Sequence, residues 1–138
     1  MNVKYIVVHC SATQEGRDYT VRDITRWHLQ RGFNTIGYHY VIYRDGTIHE
    51  GRNINTPGAH CYGVNNCSVG VCYIGGQRKL PNGELQNADT RTPAQMEALK
   101  VLLKLLKLKW PDAKICGHRD FSTKDCPCFN ATAEYAKI

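Results

Sequence analysis

The chain has 138 residues, 42% hydrophobic and 22% charged, a balance that suits one soluble globular domain large enough to bury a core. A formal charge of +6 favours anionic surroundings, but the basic residues are scattered and form neither an arginine-rich arm nor a nucleic-acid module, so nucleic acid is not an expected partner. No run approaches the roughly 20 apolar residues of a membrane span, and Met1-Asn2-Val3-Lys4 lacks the basic-apolar-small order of a secretion signal.

Val3 to Val8 reads as a short buried strand, an almost continuous apolar run that ends at His9. Thr20-Val21-Arg22-Asp23 is a capping-box pattern, which predicts a helix to about Arg31 with Gly32 as its stop. The apolar face of that helix is Val21, Ile24, Trp27 and His28. Tyr38 to Tyr43, aromatic and β-branched, is a second strand; Arg44-Asp45-Gly46 turns the chain, and Thr47 to Glu50 returns as a hairpin partner. A long loop through Pro57-Gly58 and Asn65-Asn66 leads to a third buried strand, Ser68 to Ile74, closed by Gly75-Gly76. Residues 77–91 are polar, contain Pro81-Asn82-Gly83 and read as an exposed loop.

Thr92-Pro93-Ala94-Gln95 combines a cap, a proline at the first helical position and a capping-box glutamine. The helix it starts is predicted to reach Lys109 and to end at Trp110-Pro111. Lys114 to Gly117 is a last strand delivering His118, and a short helix is predicted from about Asn130. Strands that alternate with two long helices, plus one hairpin, predict an α/β fold. A mixed central sheet with helices packed against it, residues 1–138 forming a single domain, is the expected architecture.

Two histidines, His9 and His118, stand at the ends of predicted strands, where a rigid scaffold can hold polar groups beside an open cleft. Soon after His118 comes Lys124-Asp125-Cys126-Pro127-Cys128. Two imidazoles and one thiolate would give a borderline-soft zinc ion three ligands and leave a fourth position for water. Spacing alone leaves alternatives open: the histidines as surface residues, and Cys-Pro-Cys as half of a structural site with Cys116. The seven cysteines are an odd number, expected to be reduced thiols or metal ligands, with Cys61 and Cys67 able to close a short loop in oxidising surroundings. His39 points to the opposite strand face from Tyr38 and suits core packing or a supporting role. His28, His49, Cys10 and Cys72 read as structural.

Taken in order, a set of motifs resembles the N-acetylmuramoyl-L-alanine amidase family shared by phage endolysins and peptidoglycan recognition proteins. They are Val8-His9-Cys10-Ser11-Ala12-Thr13, Gly37-Tyr38-His39-Tyr40, Arg44-Asp45-Gly46-Thr47, Glu50-Gly51-Arg52, Gly58-Ala59-His60 and Asn66-Cys67-Ser68-Val69-Gly70-Val71. Thr92-Pro93-Ala94-Gln95, Gly117-His118-Arg119-Asp120 and Lys124-Asp125-Cys126-Pro127 complete it. The resemblance covers nearly the whole chain, is closest to short single-domain phage enzymes, and implies zinc bound by His9, His118 and Cys126. It implies catalytic roles for Tyr38 and Lys124 in stabilising an oxyanion. His60 is expected to line the cleft and touch substrate. Cys128 departs from the small residue usual at its position.

The implied activity is hydrolysis of the bond between N-acetylmuramic acid and L-alanine. The expected partner is bacterial peptidoglycan, with the protein a monomer made in the cytoplasm and reaching the wall after release. A peptidoglycan-binding module without catalysis, and an added regulatory role on a polymerase, are the alternative readings. Keeping both histidines and the cysteine favours catalysis over the first.

Overall fold

The computed structural model describes all 138 residues. In chain order the elements are β1 (Tyr5–Cys10), β2 (Thr13–Gln14), α1 (Val21–Gln30), β3 (Tyr40–Ile42), β4 (Ile48–Glu50), β5 (Ser68–Tyr73), β6 (Gly76–Lys79), β7 (Leu85–Asn87), α2 (Pro93–Lys109), β8 (Lys114–Gly117) and α3 (Ala131–Glu134). Single 3₁₀ turns occupy Asn65–Cys67 and His118–Asp120. The main sheet has the order β4-β3-β5-β1-β8, and β2-β6-β7 form a small second sheet. Pairing is parallel for β3, β5, β1 and β8 and antiparallel only for β4, so this is the mixed α/β sheet expected.

β1 and β5 lie inside the sheet with neighbours on both sides, which is why their sequences are nearly continuous apolar runs. Alternate residues of β1 serve different faces. Ile6, Val8 and Cys10 enter the main core with Val69, Val71 and Tyr73 and with Leu99, Leu102, Leu103 and Leu106 of α2. Val7 packs on the other face with Cys61 and Cys116. α2 therefore seals one face of the sheet, and the opposite face is left for α1 and the long loops.

Both predicted capping boxes are present, with Thr20 paired to Asp23 and Thr92 to Gln95. Gln95 does more than cap. It is fully buried, and its Nε2 also donates to Ile42 O and Ile74 O, joining the start of α2 to the ends of two strands. Arg91, just before α2, donates to Asp89, to Glu134 and to the Tyr135 hydroxyl, and its guanidinium sits 3.5 Å from the Phe129 ring centroid. That clasp ties α3 and the segment following Cys126 to the body of the protein.

Strand ends shift by a residue or two from the sequence reading, β2 was not foreseen, and three differences matter most. β1 continues through His9 and Cys10, because both pair with β5 in register. β3 is shorter than Tyr38–Tyr43: it spans Tyr40–Ile42, and the side chains of Tyr38 and His39 reach His28 of α1 and Thr56 O of the long loop. Residues 77–91 are not a plain loop: β6 and β7 form a hairpin around Pro81-Asn82-Gly83. Its side chains are mostly exposed and polar, so no apolar alternation marked it. All seven cysteines are free thiols.

Candidate active site

Sheet register builds the site. β1 and β8 are parallel neighbours with Val8 opposite Gly117, so the next residues, His9 and His118, emerge side by side with ring centroids 4.6 Å apart. At His118 the chain leaves the strand for a 3₁₀ turn, held by Asp120 Oδ2, which accepts from Gly117 N and Thr132 Oγ1. Gly117 itself cannot carry a side chain: a Cβ there would lie 2.9 Å from Pro127 Cδ.

The loop bearing Cys126 is braced at several points. Arg119 N donates to Cys126 O, Tyr73 Oη to Pro127 O, and Asn87 Nδ2, from the unforeseen hairpin, to Asp125 Oδ2. The result brings Cys126 Sγ to 3.8 Å from His9 Nδ1, and Cys10 N donates to the sulfur at 3.2 Å.

The candidate ligand atoms of His9, His118 and Cys126 all lie within 4.8 Å of one another. Tetrahedral zinc with bonds of about 2.0–2.3 Å sets its ligand atoms roughly 3.4–3.8 Å apart, so small side-chain movements suffice to close around an ion. Two imidazoles and a thiol are also the donor chemistry that zinc accepts. The three residues fit the metal.

Cys128 takes no part in this cluster. Its sulfur lies 3.9 Å from Cys10 Sγ and contacts Gly76 O. Cys116 is likewise separate, packed with Val7 and Cys61, so Cys-Pro-Cys is not half of a structural site with it.

Electrostatics follow from burial and crowding. His9 is held well below the usual imidazole pKa, first by burial and then by His60, His118 and Lys124. Burial and then Lys124 also lower His118. Both imidazoles therefore stay neutral, the form that binds metal. Burial pushes the Tyr38 phenol well up, so its hydroxyl keeps its proton. Tyr38 packs 5.0 Å from the His9 ring.

Tyr38, His60, His118, Lys124 and Cys126 share one cleft, with Lys124 exposed at its rim. The sequence reading missed other residues of that wall, among them Arg31, Phe33, Asn65 and Tyr62, the last almost wholly exposed. An aromatic two residues after Gly58-Ala59-His60 was the one signal the sequence offered for Tyr62.

His60 is less open than expected. It is buried, its Nδ1 lies 2.8 Å from His9 Nε2, and its Nε2 lies 3.2 Å from Ser68 Oγ. Burial holds its pKa down to about 3. His39 is buried, accepts from Gly70 N at Nδ1 and faces Thr56 O through Nε2, a supporting place. His28 accepts from Gly37 N, and His49 stacks on Tyr43, so both are structural as expected.

The family model described as N-acetylmuramoyl-L-alanine amidase matches residues 1–129. The endolysin of Klebsiella phage KP32 is 44% identical over 125 residues, covering 91% of this chain and 80% of the relative. Among solved structures, the N-acetylmuramoyl-L-alanine amidase LysC from Clostridium intestinale URNW superposes with a TM-score of 0.81 at 33% identity, over 99% of this chain and 83% of that one. Drosophila PGRP-LB gives a TM-score of 0.78 at 30% identity, over 99% and 81% of the two chains.

Proposed function

The chain belongs to the N-acetylmuramoyl-L-alanine amidase family, and on that premise we propose that it hydrolyses the amide joining N-acetylmuramic acid to L-alanine in bacterial peptidoglycan, using zinc held by His9, His118 and Cys126. The observation that carries this reading is the gathering of two neutral imidazoles and one sulfur within 4.8 Å of one another, with His118 and Cys126 lining an open cleft and His9 buried behind them. Three protein ligands leave a tetrahedral ion one position free, the mark of a catalytic rather than a structural site. When bound, zinc supplies Lewis acidity, polarising a carbonyl and allowing water to act as nucleophile near neutral pH.

The chain's own residues supply the remainder. The backbone N–H of Cys10 donates to Cys126 Sγ and helps hold the sulfur beside His9 Nδ1. A thiolate and two neutral imidazoles would hold the ion with a net site charge of about +1. Tyr38, with its proton retained, offers an O–H donor in the same cleft to a substrate carbonyl oxygen as it gains charge. Lys124, two residues before Cys126 at the rim, offers a cation from the solvent side.

The test is zinc analysis of the wild-type protein and of Cys126→Ser. The expected result is one zinc per wild-type chain, and loss of both zinc and peptidoglycan hydrolysis in a folded Cys126→Ser. Full activity in a zinc-free protein would overturn the proposal.

A further inference from the structure

We infer that His60, backed by Ser68, is a positioning residue that fixes the proton of His9 on Nε2 and so aims the bare Nδ1 at the metal position. The inference rests on the reading of His9, His118 and Cys126 as the metal-binding set.

The row begins at Val64 O, which can only accept. Ser68 Oγ lies 2.6 Å from it, so the single hydroxyl hydrogen of Ser68 is spent there. Toward His60 Nε2, 3.2 Å away, Ser68 can then only accept, which places the His60 hydrogen on Nε2. In the neutral ring His60 Nδ1 is bare. His9 Nε2 is 2.8 Å from that bare nitrogen, and two lone pairs do not face each other at this distance, so His9 Nε2 carries hydrogen and donates. What remains on His9 is a lone pair at Nδ1, the atom 3.8 Å from Cys126 Sγ. With the other tautomer, His9 would point a hydrogen at the ion and a lone pair at a lone pair.

Water cannot substitute for a member of this row, because Ser68, His9 and His60 are 0%, 1% and 9% exposed. The ring of His60 is itself held from several directions. Asn65 Oδ1 accepts from the backbone N–H groups of His60 and Cys61. On β5, Gly70 lies against the ring face, where an added Cβ would be 2.6 Å from Cγ. His60 thus touches the ligand, not the reacting atoms. Partners of this kind orient a metal-binding imidazole and raise its basicity, and losing one weakens metal affinity by about 10- to 100-fold.

The experiment combines nitrogen-15 imidazole spectra of the zinc-free and zinc-loaded wild type with zinc affinities measured against a competing chelator. His9 is expected to carry its proton on Nε2 in both states. His60→Leu should bind zinc about 10- to 100-fold more weakly, with both His9 tautomers visible in the zinc-free form. Ser68→Ala should weaken binding less. His60→Asn, which places an amide oxygen where Nδ1 stood, should recover most of the affinity, a rescue that mere filling of space would not give.

A zinc-free wild type with the His9 proton on Nδ1 would overturn the inference. So would a folded His60→Leu that binds zinc within about twofold of wild type. Should His60→Leu not fold, the wild-type tautomer and Ser68→Ala decide the matter. A wild type that takes up no zinc would instead remove the metal reading, an outcome distinct from a wrong tautomer.

Discussion

At the scale of single residues, the proposed division of labour separates holding the metal from stabilising charge. Tyr38 and Lys124 contribute no ligand atom to the set of three, yet they share its cleft. Tyr38→Phe and Lys124→Ala should therefore each retain one zinc per chain, while kcat for peptidoglycan falls by about 10²- to 10³-fold, the usual cost of losing one oxyanion donor. Paired zinc analysis and turnover measurements check this, and loss of the metal in either variant would contradict the roles given. His9, His118 and Cys126 were legible as potential ligands because the two histidines follow predicted strands and the cysteine stands before a proline in the loop soon after the second. Cys128 could not be told from Cys126 by spacing; the difference is that its sulfur lies against Cys10 and Gly76, away from the two imidazoles. The contact between His60 and His9 left no sequence signal, since 51 residues separate them and only the folded sheet brings them together.

At the scale of elements, the site depends on register between parallel strands. β1 and β8 place His9 beside His118, and β5 presents a bare backbone at Gly70 against His60. Gly70→Ala would force a methyl group into a fully packed ring, so it is expected to cost about 1–3 kcal/mol of stability and to weaken zinc binding together with it. Denaturant melts and chelator competition on the same protein check the pair; a destabilised variant with unchanged zinc affinity would show that His60 does not reach the metal site through this packing. The long elements were readable from capping boxes and apolar runs, whose physics is local. The β6–β7 hairpin was not, because it stays mostly exposed and polar while its partners lie across the molecule: β2 beside β6, and Asp125 bonded to Asn87.

At the scale of the whole molecule, α2 closes one face of the sheet and leaves the other to α1, the long loops and the cleft; the alternation of strands and helices foretold a mixed sheet with helices packed against it, but not which face the cleft takes. No helix is long and apolar enough to cross a membrane. The net charge of +6 suits an anionic, polymeric substrate without specifying it, and the choice of bond follows from the family and the site together. The most direct measurement of the central claim is mass analysis of products after purified peptidoglycan is digested with the zinc-loaded protein. Stem peptides released with a free L-alanine amino end, beside glycan strands of unchanged length, are the predicted result. Shortened glycan or opened cross-bridges with the L-alanine linkage intact would contradict it.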